Sequence, residues 1–501
     1  MVRWLPFALL AVCQAAAAAP AYVAVPLGSL GGASVYGTGI NASGQVAGWA
    51  DTDAAGAAHR HAFAYRDGTL VNLGTLLGGT QSFGYAINDS GQVAGASNAS
   101  GGAQLHAVVF GAAGIADLDP ALGATIGNGY GINAAGDVVG AYTRPGGSAR
   151  AYRYLAASGM FTDLGTFGGA LSQAYAVNVF GDVTGYAHVP SQDAHAFRYD
   201  SGGLSDLGTL GGRVSIGHGI DASGRVVGEA FLAGDAGPHA FFHDGAVMAD
   251  LGTLGGTVSR AFAISASGAI VGESTDGQGT LRAFVYAGGA MIDLNAVTSG
   301  LNGAMLSTAS AVNDAGQIVA MSCTGPLVCA QAFRLDPVPA PKVAAIEYHH
   351  AAFDHYFVTA IPDEIAKLDN GTFAGWTRTG DSFNVYTADQ VGTHPVCRFF
   401  STTFAPKSSH FYTAGPDECT NVQRNPNWQL EGLVFNIPVP DTITGACPPA
   451  TQPVYRLFNQ GMGAAPNHRF TTSLATRAAM IAQGWTPEGY GPDAVIMCAP
   501  L

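Results

Sequence analysis

Three histidines near the C-terminus stand beside aromatic residues in matching settings. They are Asp354-His355-Tyr356-Phe357-Val358-Thr359, Ser409-His410-Phe411-Tyr412-Thr413 and Asn467-His468-Arg469-Phe470-Thr471-Thr472. Each is followed by a tryptophan and a turn glycine: Trp376 and Gly380, Trp428 and Gly432, Trp485 and Gly489. A ring to stack on, with polar tips beside it, is how many sugar sites are built. The expectation is up to three equivalent shallow carbohydrate sites, drawn from His355, Tyr356, Trp376, His410, Phe411, Trp428, His468, Phe470 and Trp485. Three stacked copies of a small core, with rings inside and imidazoles capping strands, have the same periodicity.

Other chemistry finds less material. The pairs Asp363-Glu364 and Asp417-Glu418 recur in two copies, but the third has Ala475-Thr476. These acids suit the first turn of a helix, where the dipole favours them, better than a carboxylate mechanism. The sequence has no nucleophile elbow, no HExxH and no phosphate loop. Its cysteines and histidines lack zinc-type spacing. No catalytic residue, metal or cofactor is expected.

The elements that carry the histidines also come in threes, over residues 343–501. A first strand (Ala345–His349, Val396–Phe400, Val454–Phe458) leads to the histidine strand. A short helix follows (Pro362–Leu368, Pro416–Val422, Leu474–Gln483), then the tryptophan and a closing strand. Three β-rich copies of about 50 residues predict a pseudo-three-fold, β-trefoil-like domain with short helices. Residues 337–342 form a stiff Pro-rich linker ahead of it.

Upstream, the phrase LGTLGG organises the chain. Its leucines, Leu27, Leu73, Leu118, Leu164, Leu207, Leu251 and Leu294, lie 43 to 46 residues apart. After each comes a strand ending in Ile/Val-Asn or its variant, from Ile40-Asn41 to Val312-Asn313, and then a glycine, from Gly44 to Gly316. Asn opens a turn and Gly accepts the positive φ that closes it. A second strand, a variable loop, a His-Ala-Phe-x-Tyr strand and a fourth strand complete the unit. Four short strands per unit predict a seven-bladed β-propeller over residues 22–336. The last unit stops after three strands, and Tyr22–Leu27 is a fourth strand with no first three. The N-terminal strand is therefore expected to complete the last blade and close the ring. The histidines of this strand, His61, His106, His195 and His239, are replaced elsewhere by Arg150, Arg282 and Gln331. A site requiring imidazole would not accept these, so the position reads as structural.

The recurring Ala-Ile-Asn-x-x-Gly, His-Ala-Phe and LGTLGG motifs resemble the extracellular HAF-repeat family of bacterial proteins over residues 27–335. That resemblance implies export and repetition and no defined chemistry. The C-terminal copies resemble a secreted bacterial three-repeat module of undefined function, similar to repeats accompanying cell-wall and adhesive proteins.

Composition agrees with export. The 501-residue chain has 70 glycines, 11% charged residues and a formal net charge of −14. That balance disfavours nucleic acid or an anionic membrane as partner. Arg3, the apolar run Trp4–Val12 and the alanines after it make a signal peptide, residues 1–21, cut after Ala21. A lipobox ending at Cys13 is the rival reading. No later segment reads as a membrane span. Removing Cys13 leaves six cysteines, an even number suited to three bridges. Cys323 and Cys329 pair locally; for the other four, three connectivities exist, with Cys397–Cys419 and Cys447–Cys498 preferred. The resulting expectation is an exported, extracellular or periplasmic, non-enzymatic scaffold whose C-terminal module binds a glycan or another cell-surface polymer. Two alternatives stand beside it: a propeller binding protein partners through loops such as Asp51–Arg60 and Asn98–Leu105, and a hydrolase with its site at the propeller mouth.

Overall fold

The computed structural model describes residues 22–501 except 54–58, 103, 125, 326–327, 340, 389–392, 402, 404–406, 449 and 463–465. The expected signal peptide, 1–21, lies outside the described residues. Strand exceeds helix by 55% to 7%, which makes the architecture all-β. The chain divides into two compact units, Ala21–Val338 and Pro339–Leu501.

In the first unit, six antiparallel four-stranded sheets follow one another along the chain. The first contains Val35–Ile40, Val46–Asp51, Arg60–Arg66 and Thr69–Gly74, and the sixth ends with Ala290–Asp293. The seventh takes Thr308–Val312, Ile318–Gly325 and Val328–Pro337 from the end of the unit. Its next strand is Tyr22–Pro26, antiparallel to Val328–Pro337 with Tyr22 opposite Pro337 and Pro26 opposite Phe333. Thr298–Ser299 adds a short parallel strand outside it.

Each sheet packs through small residues and one large ring. Gly48 opposes Gly37, and a Cβ there would lie 1.8 Å from the Tyr36 carbonyl oxygen. Only glycine allows that approach. Phe63, Phe197, Phe241 and Phe284 of the His-Ala-Phe strands are fully buried. So are Leu27, Leu118, Leu164 and Leu294 of the organising phrase, nearly so or completely. Leu27, Leu118 and Leu164 belong to the apolar clusters between neighbouring sheets, and Leu73, Leu207 and Leu251 pack against them.

The turn asparagines tie the sheets together. Asn41 Oδ1 accepts from Gln45 N at 2.9 Å, closing its own turn. Asn41 Nδ2 donates to Asn88 O of the next sheet at 3.1 Å. Asn88 does the same to Asn133, Asn133 to Asn178, and Asn178 to Asp221. Asn313 of the last sheet donates to Asn41 O of the first at 2.9 Å. Where Asp221 lacks the amide, Arg225 pairs with it at 2.5 Å and donates onward to Ala266 O at 3.2 Å. Where Ser265 lacks it, Asp314 of the last sheet accepts from Ala266 N at 2.7 Å. The seam between last and first sheets is apolar: Leu27, Val35, Val46, Phe63, Ala311, Val319 and Met321 form one buried cluster.

A second tie was not evident from sequence. The fully buried Ser82, Ser215 and Ser259 each donate to a turn glycine carbonyl of the preceding sheet. Each also accepts from the alanine N–H of that sheet's His-Ala-Phe strand, at 2.8–2.9 Å.

The second unit contains three copies with helices in the expected places: Pro362–Asp369, Pro416–Gln423 and Leu474–Ala482. In every copy the first strand lies between its partners. Copies one and two share a six-stranded sheet, whereas copy three forms a four-stranded sheet of its own. The cystines are Cys323–Cys329, Cys397–Cys419 and Cys447–Cys498.

The turn network makes a specific prediction. Asn88→Asp keeps the turn acceptor but loses the donor to Asn133 O, and should lower stability by about 1–2 kcal/mol. Adding Gln92→Arg copies the Asp221–Arg225 solution and should restore most of it in chemical denaturation. A double variant no better than the single one would refute this account of the ring.

Candidate functional site

The nine residues expected to form carbohydrate sites do come together, but mostly in the interior. His355 is completely buried, and His410, Phe411, His468, Phe470 and Trp485 are also buried. Tyr356, Trp376 and Trp428 are half-buried. A stacked sugar needs an open ring face, so the three-site expectation is corrected for the six buried residues. The physical reason is that the second strands of the three copies meet side by side. Tyr412 Oη donates to Val358 O at 2.7 Å, and the Tyr412 and Phe470 rings contact at 5.3 Å. The histidines ride on these strands and are carried inward.

Their hydrogen bonds confirm an interior role. His355 Nδ1 lies 3.0 Å from Ser408 Oγ, and its Nε2 lies 2.9 Å from His410 Nδ1. One imidazole donates and the other accepts, so the accepting ring is neutral. His410 Nε2 sits 3.3 Å from Glu431, and His468 Nε2 3.6 Å from Glu488. Burial, reinforced by His410, pushes His355 down to about 2. Burial, reinforced by Arg456, pushes His468 down to about 3. Burial also lowers His410, against the pull of Glu431.

Around them runs a cycle of ion pairs between copies. Arg398 of copy two grips Glu364 of copy one with two hydrogen bonds, 2.7 and 2.9 Å. Arg456 of copy three grips Glu418 of copy two in the same way, both at 2.9 Å. The third link has the opposite polarity. Glu347 occupies the position of these arginines in copy one, and Arg469 of copy three binds it at 2.9 and 3.0 Å. Glu364 and Glu418, read from sequence as helix-opening acids, thus also serve as partners across copies. Burial raises Glu347 above the ordinary carboxylate range, opposed by Arg469.

In the first unit, the repeated histidines bind within their own sheets. His195 Nδ1 lies 2.8 Å from Asp206 Oδ2, while Asp206 Oδ1 accepts from Gly208 N at 2.8 Å. His61, His106 and His239 make the equivalent contact to Asn72, Asp117 and Asp250. The first strands of successive sheets present a row of rings: Tyr85, Tyr130, Tyr175, His218 and Phe262, with neighbouring centroids 5.1–5.4 Å apart. Beside this row, Arg260 bridges two carboxylates, Glu229 at 2.6 Å and Glu273 at 2.9 Å. Burial opposes the charge on Glu229, yet His218 and Arg260 outweigh it and hold the carboxyl below its usual range. The group is an ionised carboxylate clamped by a cation, suited to accepting hydrogen bonds. Among the described residues, no group of three or more His, Cys, Asp or Glu side chains is placed to hold a metal ion.

The second unit matches a family described as a domain of unknown function (DUF5648), over residues 347–494. No curated protein matches the chain. Among solved structures, TolB from Acinetobacter baumannii is similar over 59% of this chain, at 13% identity and a TM-score of 0.34. The chain spans 64% of that TolB, a little under two thirds of its length. A gluconolactonase from Xanthomonas campestris is similar over 64% of this chain and 96% of its own, at 13% identity and a TM-score of 0.31. A prolyl endopeptidase is similar over 76% of this chain and 52% of its own, at 12% identity and a TM-score of 0.35. Likenesses this distant leave function to be argued from the residues themselves.

Two predictions arise from the second unit. A histidine held below its unfolded value of 6.5 is neutral when folded, but takes a proton below that pH when unfolded. Its stability contribution is therefore full above pH 6.5 and lost as pH falls toward about 3. Unfolding free energy measured from pH 7 to 4 should fall steeply, and His355→Gln with His468→Gln should flatten that limb. An unchanged limb in the double variant contradicts the assignment. Separately, Arg469→Met leaves the buried Glu347 without its cation and should cost about 3–5 kcal/mol. Removing both charges, with Glu347→Met added, should cost less; equal losses would show that the pair does not interact as described.

Proposed function

We propose that this chain is an exported protein that acts by binding rather than catalysis. In this reading a rigid seven-bladed β-propeller of HAF-repeat type is joined to a pseudo-three-fold, trefoil-like module. The ligand is a glycan or another cell-surface polymer.

One observation carries the reading: the repeated polar side chains are engaged within the unit itself. Asn41 and its equivalents hold neighbouring sheets, Ser82 and its equivalents hold turns, and His195 and its equivalents hold fourth strands. The repeats thus build a stiff platform, and recognition falls to positions that differ between copies. The three cystines fit an oxidising compartment. No helix among the described residues is long and apolar enough to cross a membrane. In the second unit, the half-buried Tyr356, Trp376 and Trp428 are the rings of the expected set that keep some surface for a sugar.

The test is a glycan and polysaccharide array probed with residues 22–501. Saturable binding to at least one polysaccharide is the expected result. Binding to none, together with specific capture of a protein through the Asp51–Arg60 or Asn98–Leu105 loops, would replace this reading with the protein-interaction one. Hydrolysis of an array polymer, abolished by Glu229→Gln, would replace it with the enzymatic one.

A further inference from the structure

The seven equivalent turns, five opened by Asn and two by Asp221 and Ser265, serve as controls for one another. Their two central residues are Ala42-Ser43, Asp89-Ser90, Ala134-Ala135, Ala222-Ser223, Ala266-Ser267 and Asp314-Ala315 in six sheets. In the fourth sheet they are Val179-Phe180, which are 59% and 75% exposed. The turn itself is built like the others: Asn178 Oδ1 accepts from Phe180 N at 3.0 Å and from Asp182 N at 2.9 Å. Six sibling turns form with Ala, Ser or Asp there, so the fold does not call for the ring. Leaving a phenylalanine in water forgoes the apolar burial that usually explains one.

Beside Phe180 lies a cleft of about 640 Å³, lined by Arg153, Asp182, Tyr199, Asp200, Ser201 and the backbone at Gly181 and Gly202–Gly203. It lies at the junction of the third and fourth sheets. Its charges are paired at its walls: Arg198 contacts Asp182 at 3.0 Å and Asp200 at 3.4 Å, and Arg153 contacts Asp137 at 3.1 Å. With three carboxylates against two guanidiniums the wall is close to balanced, which disfavours an anion and gives a cation little advantage. It does offer fixed acceptors in the carboxylates, a guanidinium donor and the Ser201 hydroxyl, next to a flat apolar ring. That combination suits a neutral, hydroxyl-rich ring: one face stacks on Phe180 and the hydroxyls face the polar wall.

We propose that the Phe180 cleft is a carbohydrate-binding subsite for a neutral glycan, one or two sugar units deep. This rests on the glycan-binding reading above and assigns it a place in the first unit. A protein partner would use the same exposed ring, but the largely polar, charge-paired wall favours the sugar.

The test uses residues 22–501 with soluble hexasaccharides of glucose and of N-acetylglucosamine, titrated by calorimetry. Phe180→Ser, which installs a sibling residue, should weaken binding at least tenfold with the unfolding midpoint unchanged. Phe180→Trp should retain or strengthen binding, and Ser223→Phe on the neighbouring sheet should leave it unaltered. Wild-type binding that survives Phe180→Ser overturns the subsite and leaves the glycan reading standing. Absence of wild-type binding to these sugars and to every array polymer overturns both. A tenfold loss accompanied by a lowered midpoint, with no recovery in Phe180→Trp, also counts against the subsite.

Discussion

A carboxamide has an acceptor end and a donor end, and the ring of sheets relies on both. The oxygen of Asn41 accepts from Gln45 N and from the Ser43 hydroxyl of its own turn, while the nitrogen reaches the carbonyl of the next asparagine. The turn must therefore be correctly formed for the inter-sheet link to exist. The links return to their origin through Asn313 and Asn41, far apart in sequence and adjacent in space. A single such bond nets about 1 kcal/mol. Each large apolar side chain buried at the seam contributes about 1.5–3 kcal/mol. The apolar cluster of Leu27, Val46, Phe63 and Val319 thus supplies most of the energy of closure, and the directional amides select its geometry. Glycines such as Gly48 allow the strands to approach closely enough for both to operate.

The second unit achieves closure with charge. Arg398 and Arg456 each reach back to a helix of the preceding copy, and the two links are equivalent. The link between copies one and three is inverted, with Glu347 on the strand and Arg469 on the neighbour. Inversion distinguishes the copies. If copy one were docked where copy two belongs, Glu347 would face a glutamate and repel it. The inverted pair therefore gives the three similar copies unlike charges at equivalent positions, so they are not electrostatically equivalent. The neutral histidines fill the space between these pairs, which explains their burial beside so many ionised groups.

Much of this was legible in sequence because it repeats with a fixed period. The leucine spacing, the Asn-x-x-Gly hairpins, the local Cys323–Cys329 bridge and the placement of Tyr22–Pro26 follow from local patterns or from counting strands, whereas Cys397–Cys419 and Cys447–Cys498 were a preference among three connectivities. What escaped notice depends on partners that sequence does not bring together. Ser82 resembles any polar residue ahead of a strand until Ala62 and Gly74 are seen on either side of its oxygen. Arg469 and Glu347 are 122 residues apart. The histidine and tryptophan set was found but placed at the surface, because a three-copy surface and a three-copy core share one period. The signal that separates them is the large aromatic residue two places on, Phe357, Tyr412 and Phe470, which shares the histidine's face of the strand and is buried. Phe180 was visible all along as the odd member of seven aligned turns.

Departures from a repeat therefore fall into two kinds, and the distinction bears on function. Asp221 departs from asparagine, but Arg225 supplies the missing donor. Ser265 departs, and the link that remains there is Asp314 accepting from Ala266 N, a contact that Asp89 also makes to Ala42 N beside an intact Asn41. Glu347 departs from arginine, and Arg469 reverses with it. The Asp221 and Glu347 changes each have an answering change in a neighbour, and the Ser265 turn keeps a link its siblings already use, so the structure absorbs all three. Val179-Phe180 has no such counterpart: the turn is unaltered, the ring is exposed, and a polar cleft lies beside it. A repeat protein holds its architecture by compensating what alters the ring. An uncompensated, solvent-facing departure adds nothing to that architecture, which is why the proposed subsite is centred on Phe180.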